Sequence, residues 1–217
     1  MRVNAPKGED LVGGGDGLRT PGTYHFLITN IRAGLSVNDK PIDGFTAECK
    51  VIGGLADDKS DQANKTIALV FFSPNLAKDT AEQAAKTDKL NTAFFLSTNC
   101  IQPKQLGQDD LDIDENLANG AQFVAKMQHK QKKEVDASGN EKWVDDLSVP
   151  VKIAFSDIFH VDDPAVAKIP KNKDAIAMIE PKDRHKAEWF DFKKPKHEQG
   201  KSASKSKDYE DVLDGVV

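Results

Sequence analysis

The sequence predicts a mostly β protein, a five-stranded, partly open barrel with one helix between its third and fourth strands. Three observations carry that prediction. Before residue 73, three short runs alternate apolar and polar side chains at the two-residue period of a strand. From Leu76 to Leu96 the composition turns to Ala, Lys, Glu and Gln with no internal Pro or Gly, which favours a helix. Two more alternating runs follow between Gly120 and Phe155. Three strands, a helix and two strands is the element order of a small barrel whose helix plugs one end.

The first strand opens at Pro21-Gly22-Thr23, with Tyr24, Phe26 and Ile28 alternating against His25, Leu27 and Thr29. Gly34 and the group Asn38 to Pro41 supply a turn. The second strand, Phe45 to Ile52, turns Phe45, Ala47, Cys49 and Val51 inward and Thr46, Glu48 and Lys50 outward. Gly53-Gly54 is expected to end it, and Asp57 to Asn64 is a polar excursion. Lys65 to Phe72 is rich in branched and aromatic side chains and reads as the third strand, stopped by Ser73-Pro74.

In the helical stretch Ala77, Ala81, Ala84 and Ala85 form a thin apolar stripe, and Leu90, Ala93, Phe94 and Ser97 a stronger one. The pattern fits one helix, or two broken near Thr87-Asp88 with Asp88 capping the second. Asn99 to Pro103 ends the region. Gln108 to Asn119 is acidic, but the central glycine and final glutamate of a calcium loop are not in place there, so it reads as a solvated connector.

Gly120 to Phe155 is the stretch that most defines the surface. On its first strand Phe123, Ala125 and Met127 fall on one face, and Val124, Lys126, Gln128, Lys130 and Lys132 on the other. Lys133 closes the run, and a polar loop, Asp136 to Asn140, follows. On the second strand Val149, Val151, Ile153 and Phe155 make an apolar row with Lys152 opposite. This is a half-buried hairpin whose exposed side lines up amines and amides. Ordinary solvated strand faces also carry Lys and Gln, so the row alone does not establish a ligand.

The chain has 217 residues, enough for one sizeable domain with tails. The organisation read from composition is a flexible lead over 1–20, a barrel domain over 21–165, an edge extension over 166–192, and a flexible tail with an acidic tip over 193–217. Lys182 to Lys207 holds nine basic and four acidic residues, whereas the last ten residues carry Asp208, Glu210, Asp211 and Asp214. A net charge of −5 excludes an indiscriminately basic coat but leaves room for a local basic strip. The start lacks a signal-peptide core and no run approaches the ~18 apolar residues of a membrane span, so a cytoplasmic location is expected.

No catalytic or metal-binding arrangement is legible, and neither an enzyme nor a cofactor is expected. The five histidines lack ligand spacing, and Cys49 and Cys100 sit in no motif. The glycine run Gly13 to Gly17 is followed by no Lys-Ser/Thr pair, as a phosphate-cradling loop would require. What the pattern does offer is a candidate nucleic-acid surface. Lys126, Lys130, Lys132, Lys133 and Lys152, with Lys50 and Lys65 nearby, would neutralise phosphates, and Tyr24, Phe72 and Trp143 would stack bases. The acidic tip would lie across the positive groove when it is empty and meet partner proteins once it is filled.

Several of these segments resemble a phage protein family. They are the Pro21-to-Tyr24 opening, Gly44 to Gly53, the helix after the third strand, and Leu117 to Lys126. That family is similar to the single-stranded-DNA-binding proteins of phage replication and recombination modules, and the resemblance spans about residues 21–160. It implies an OB-like barrel that coats single-stranded DNA in a host cytoplasm. The acidic tail looks like the partner-recruiting tails of such binders, here implying replication or recombination proteins as partners. It ends in Gly-Val-Val rather than the bacterial Pro-Phe. The alternative is a virion-associated or other structural β-protein, and self-association is left open.

Overall fold

The computed structural model describes residues 17–37, 40–75, 77–106, 113–135 and 139–185. In chain order its elements are β1 (Gly22–Val37), β2 (Lys40–Ala56), β3 (Thr66–Phe72), α1 (Ala81–Ser97), β4 (Gln122–Gln128), β5 (Lys130–Val135), β6 (Glu141–Asp146), β7 (Lys152–His160) and α2 (Lys173–Ala177). Five strands form one antiparallel sheet in the order β3-β2-β1-β4-β7, and β5 and β6 pair apart from it as a two-stranded ribbon. The expected lead through residue 16 and the tail from 186 onward, with its acidic tip, lie outside the described residues.

Alternation decides which side chains enter the barrel. Tyr24, Phe26 and Ile28 of β1, Phe45, Ala47, Cys49 and Val51 of β2, and Ile67, Leu69 and Phe71 of β3 are all buried in one core. From β4 the core takes Phe123, Ala125 and Met127. Helix α1 closes one end with Phe94, which is fully buried. Its ring centroid lies 4.4 Å from that of Phe71, 5.4 Å from Phe45 and 5.8 Å from Phe123. Such aromatic pairs add about 0.5–1.5 kcal/mol each beyond burial.

Helix α1 is continuous through Thr87-Asp88. It begins at Thr80, whose hydroxyl accepts the Gln83 N–H while the Gln83 side chain accepts the Thr80 N–H. This reciprocal cap fixes the start without any need for Asp88. The helix ends at Asn99, which takes the left-handed backbone (φ 62°) that asparagine tolerates.

The barrel's open seam lies between β3 and β7, and Leu18 bridges it. The Leu18 N–H donates to the Thr66 carbonyl (3.0 Å), and its carbonyl accepts the Val151 N–H (3.3 Å). Its side chain is fully buried. Residues expected to belong to a flexible lead therefore complete the sheet. The first hairpin is also longer than expected, because β2 continues through Gly53-Gly54 to Ala56. Glycine is required at Gly54, where φ is +121° and a Cβ would stand 2.5 Å from the Thr23 carbonyl oxygen and the Tyr24 Cα.

The second hairpin departs from the sequence expectation in two ways. The run from Gly120 to Lys133 is not one strand: β4 stops at Gln128, and β5 belongs to the separate ribbon. In β7 the apolar parity switches, since Ile153 packs on the core but Ala154 and Ile158 are buried after it. Register jumps from Met127↔Ile153 to Ala125↔Ile158, a bulge that absorbs the extra residues of β7. The Phe155 side chain is not among those described.

Beyond β7, residues 161–184 form a strap on the outer side of the sheet. Val161, Val166, Ile169, Ile176 and Ile179 pack with Val124 and Phe159 into a second, smaller apolar cluster. This explains why Val124, on the outward face of β4, is fully buried.

Candidate nucleic-acid interface

The outer face of β2 and β3 is built by cross-strand rows: Lys50 beside Thr66, Glu48 beside Ala68, Thr46 beside Val70, and Gly44 beside Phe72. Two adjacent phenylalanines on a strand cannot both point inward. Phe71 takes the core and Phe72 is left 48% exposed. Its neighbour Gly44 offers no side chain to cover that flank of the ring. Asn91 of α1 donates its amide to the Phe72 carbonyl (2.9 Å), fixing the end of the strand. Val70 is also exposed, so the face presents an apolar step beside the ring.

Charge on this face is mostly internal. Arg32 pairs with Glu48, and the Asn30 amide donates to the same carboxylate (3.2 Å). Lys50 stands outward on β2 with no ion pair among the described residues. Lys65 precedes β3, half-buried, with its carbonyl accepting the Val51 N–H (2.8 Å).

The β5–β6 ribbon leaves the barrel between β4 and β7. Trp143 is 62% exposed on it and lies across from Lys133, whose Nζ is 5.6 Å from the ring centroid. The expected row of free amines is not there. Lys132 pairs with Glu134 (3.4 Å), Lys133 pairs with Glu141 (2.5 Å), and Lys130 faces Asp146. The Asp146 carboxyl is held below its ordinary range by hydrogen bonds from Ser148, with Lys132 and Lys130 adding to the effect. Carboxylates on β5 itself and on its partner strand neutralise much of the ribbon, a feature that alternation within one strand does not reveal.

Lys126 and Lys152 lie at the root of the ribbon, both exposed and outward, beside Thr23 and Gln128 respectively. The row containing Lys126 and that containing Lys50 are separated along β1 by the step from Thr23 to Leu27, about 13 Å. Between them the strap covers His25, Gly53 and Val124. The amines thus occupy one side of the sheet in two patches rather than a continuous track.

Tyr24 leaves the stacking set. Its ring is 1% exposed, and its hydroxyl donates to the carbonyls of Thr20 (2.9 Å) and Pro21 (3.1 Å). Burial, and then Asp58 and Asp57, push the phenol above its ordinary range, so it remains a neutral donor. The sidedness of β1 dictates this outcome, because Tyr24 shares parity with Phe26 and Ile28. The acidic-tip residues Asp208, Glu210, Asp211 and Asp214 lie outside the described residues.

Among the described residues no group of His, Cys, Asp and Glu is placed to hold a metal ion. Burial raises both thiols, Cys49 and Cys100, which disfavours the nucleophilic thiolate. No described helix is long and apolar enough to cross a membrane. The class that the architecture defines is an OB-like, nearly closed five-stranded barrel with a helix between its third and fourth strands. No protein-family model matches the chain, and no curated protein matches it as a relative.

Proposed function

We propose that this protein binds single-stranded DNA without catalysis, on the outer face of β2 and β3 and along the β5–β6 ribbon. The observation that carries the reading is the exposed Phe72 on β3, in a barrel class whose second and third strands and long connecting loops form the usual oligonucleotide surface. Trp143 supplies a second ring on the ribbon, and Lys50, Lys126 and Lys152 supply charge. The resemblance to phage single-strand binders, carried by sequence motifs, supports the same reading. Replication or recombination proteins are the proposed partners of the acidic tip.

The test is a fluorescence-anisotropy titration with a labelled thymidine oligomer and with a duplex of equal length. The single strand should bind at least ten-fold more tightly, since the rings need unstacked bases. Phe72→Ala and Trp143→Ala should each weaken binding by about 1–3 kcal/mol, the contribution of one stacked base. Equal binding of both forms would refute the single-strand assignment, and no binding together with concentration-dependent assembly would favour the structural alternative.

A further inference from the structure

His25 lies on the outward face of β1, yet it is fully buried because the strap lies over it. Its Nδ1 accepts the backbone N–H of Asn172 (3.2 Å), the residue that caps α2. A second tie stands beside it, the Gln122 amide donating to the Ala175 carbonyl (2.8 Å). The strap approaches so closely that a Cβ on Gly53 would stand 3.0 Å from the Asn172 nitrogen and 3.3 Å from the Pro170 oxygen.

We infer that the strap is a proton-released clasp: protonation of His25 lifts the segment around Asn172 and α2 away from β1 while the barrel stays closed. The reason is in the donor pattern. An imidazole accepting at Nδ1 carries its single proton on Nε2, and a second proton at Nδ1 would meet the Asn172 N–H head-on. Among the described residues no compensating charge stands close by. The neighbours are Gly53 from β2, Val124 and the neutral Gln122 amide from β4, and the Lys171 ammonium from the strap. Lys171 itself is tied to the Val166 carbonyl (2.9 Å) and lies in the field of Asp162 and Asp163.

Burial, reinforced by Lys171 and partly offset by Gln122, lowers the ring's pKa to about 4. Once the clasp opens, the ring meets water and returns to its ordinary value near 6.5. The open form therefore binds the proton more tightly, and opening becomes easier as pH falls from about 6.5 to about 4. Solvating His25 needs only the strap to move, because its inward neighbours Tyr24 and Phe26 remain in the core. The far end is held by a tie that does not depend on an imidazole, with Nε and Nη2 of Arg184 donating to the Asp162 carboxylate. Asp162, Asp163 and Arg184 surround His160, whereas among the described residues His25 has no carboxylate beside it.

Amide hydrogen exchange on the full chain tests this, with rates corrected for intrinsic exchange. From pH ~7 to pH ~4.5, the amides of 172–177 should lose roughly 50-fold in protection through an opening that spares the barrel, so that at pH ~4.5 those of β1 and β4 remain far better protected than they are. His25→Asn places a non-titrating acceptor near the position of Nδ1, and its 172–177 response should shrink to less than about 5-fold. The ring's own titration, followed by NMR in the unaltered protein, should have its midpoint near 4. The clasp is overturned if 172–177 keep their protection at low pH, if at low pH they are as well protected as β1 and β4 and so open only with the whole barrel, or if His25→Asn responds as the parent does. A His25 midpoint near 6.5 would overturn it equally.

Discussion

Neutralising the unpaired amines should flatten the salt dependence of single-strand binding, whereas neutralising the paired ones should not. Lys50, Lys126 and Lys152 make no ion pair among the described residues, while Lys132 and Lys133 already face Glu134 and Glu141. Each phosphate neutralised on a single strand contributes about 0.7 to the slope of log affinity against log salt. Three free amines thus give a slope near −2, and raising salt from about 50 to about 200 mM should weaken binding roughly 20-fold. The variant Lys50→Gln/Lys126→Gln/Lys152→Gln should show less than about a 2-fold change over that range. Lys132→Gln/Lys133→Gln should keep most of the parent slope, because its counter-charges are built into the ribbon. The assay is anisotropy with a thymidine oligomer at four or more salt concentrations. A triple variant with the parent's slope, or a ribbon variant with none, would refute the charge assignment.

Three further predictions concern the scaffold. Phe94→Ala empties the position among Phe45, Phe71, Phe95 and Phe123, and should cost about 3–5 kcal/mol in a urea-unfolding measurement. Leu18→Ala should cost about 2–5 kcal/mol in the same assay, because a buried side chain at the seam is lost. If Leu18 belonged to an unanchored lead, its replacement would be neutral. Burial lowers both His25 and His160 to about 4, so each contributes stability that is complete above the ordinary imidazole value and is lost as pH falls through 4. The unfolding free energy read from urea titrations should therefore drop between pH ~6.5 and pH ~4, by up to about 3 kcal/mol per ring, with no loss from these groups on the alkaline side.

The barrel was legible because its strands obey period two and its helix changes the composition. Phe45, Ala47, Cys49 and Val51 enter the core where alternation puts them. The same rule places Tyr24 inside with Phe26 and Ile28, so its burial was available to a strict reading of parity. Likewise Thr80 and Gln83 carried the capping signature that sets the start of α1.

Other features depend on which distant residues meet. Leu18 joins β3 to β7 through backbone groups, so its identity gives little warning of its role. The ribbon's neutrality follows from register and turn geometry, which bring Lys133 to Glu141 and Lys130 to Asp146. The strap's apolar residues are too sparsely spaced to announce an element, yet together they cover Val124 and split the amines into two patches.

The most direct measurement of the central claim is photo-crosslinking of an iodouridine-substituted single strand to the full-length protein, with the adducts located by mass spectrometry. Adducts are predicted at Phe72 and Trp143, competed away by unlabelled single strand and much less by duplex. Crosslinks confined to the strap or to the far side of the barrel, or no competable adduct at either ring, would contradict the assignment of this face to single-stranded DNA.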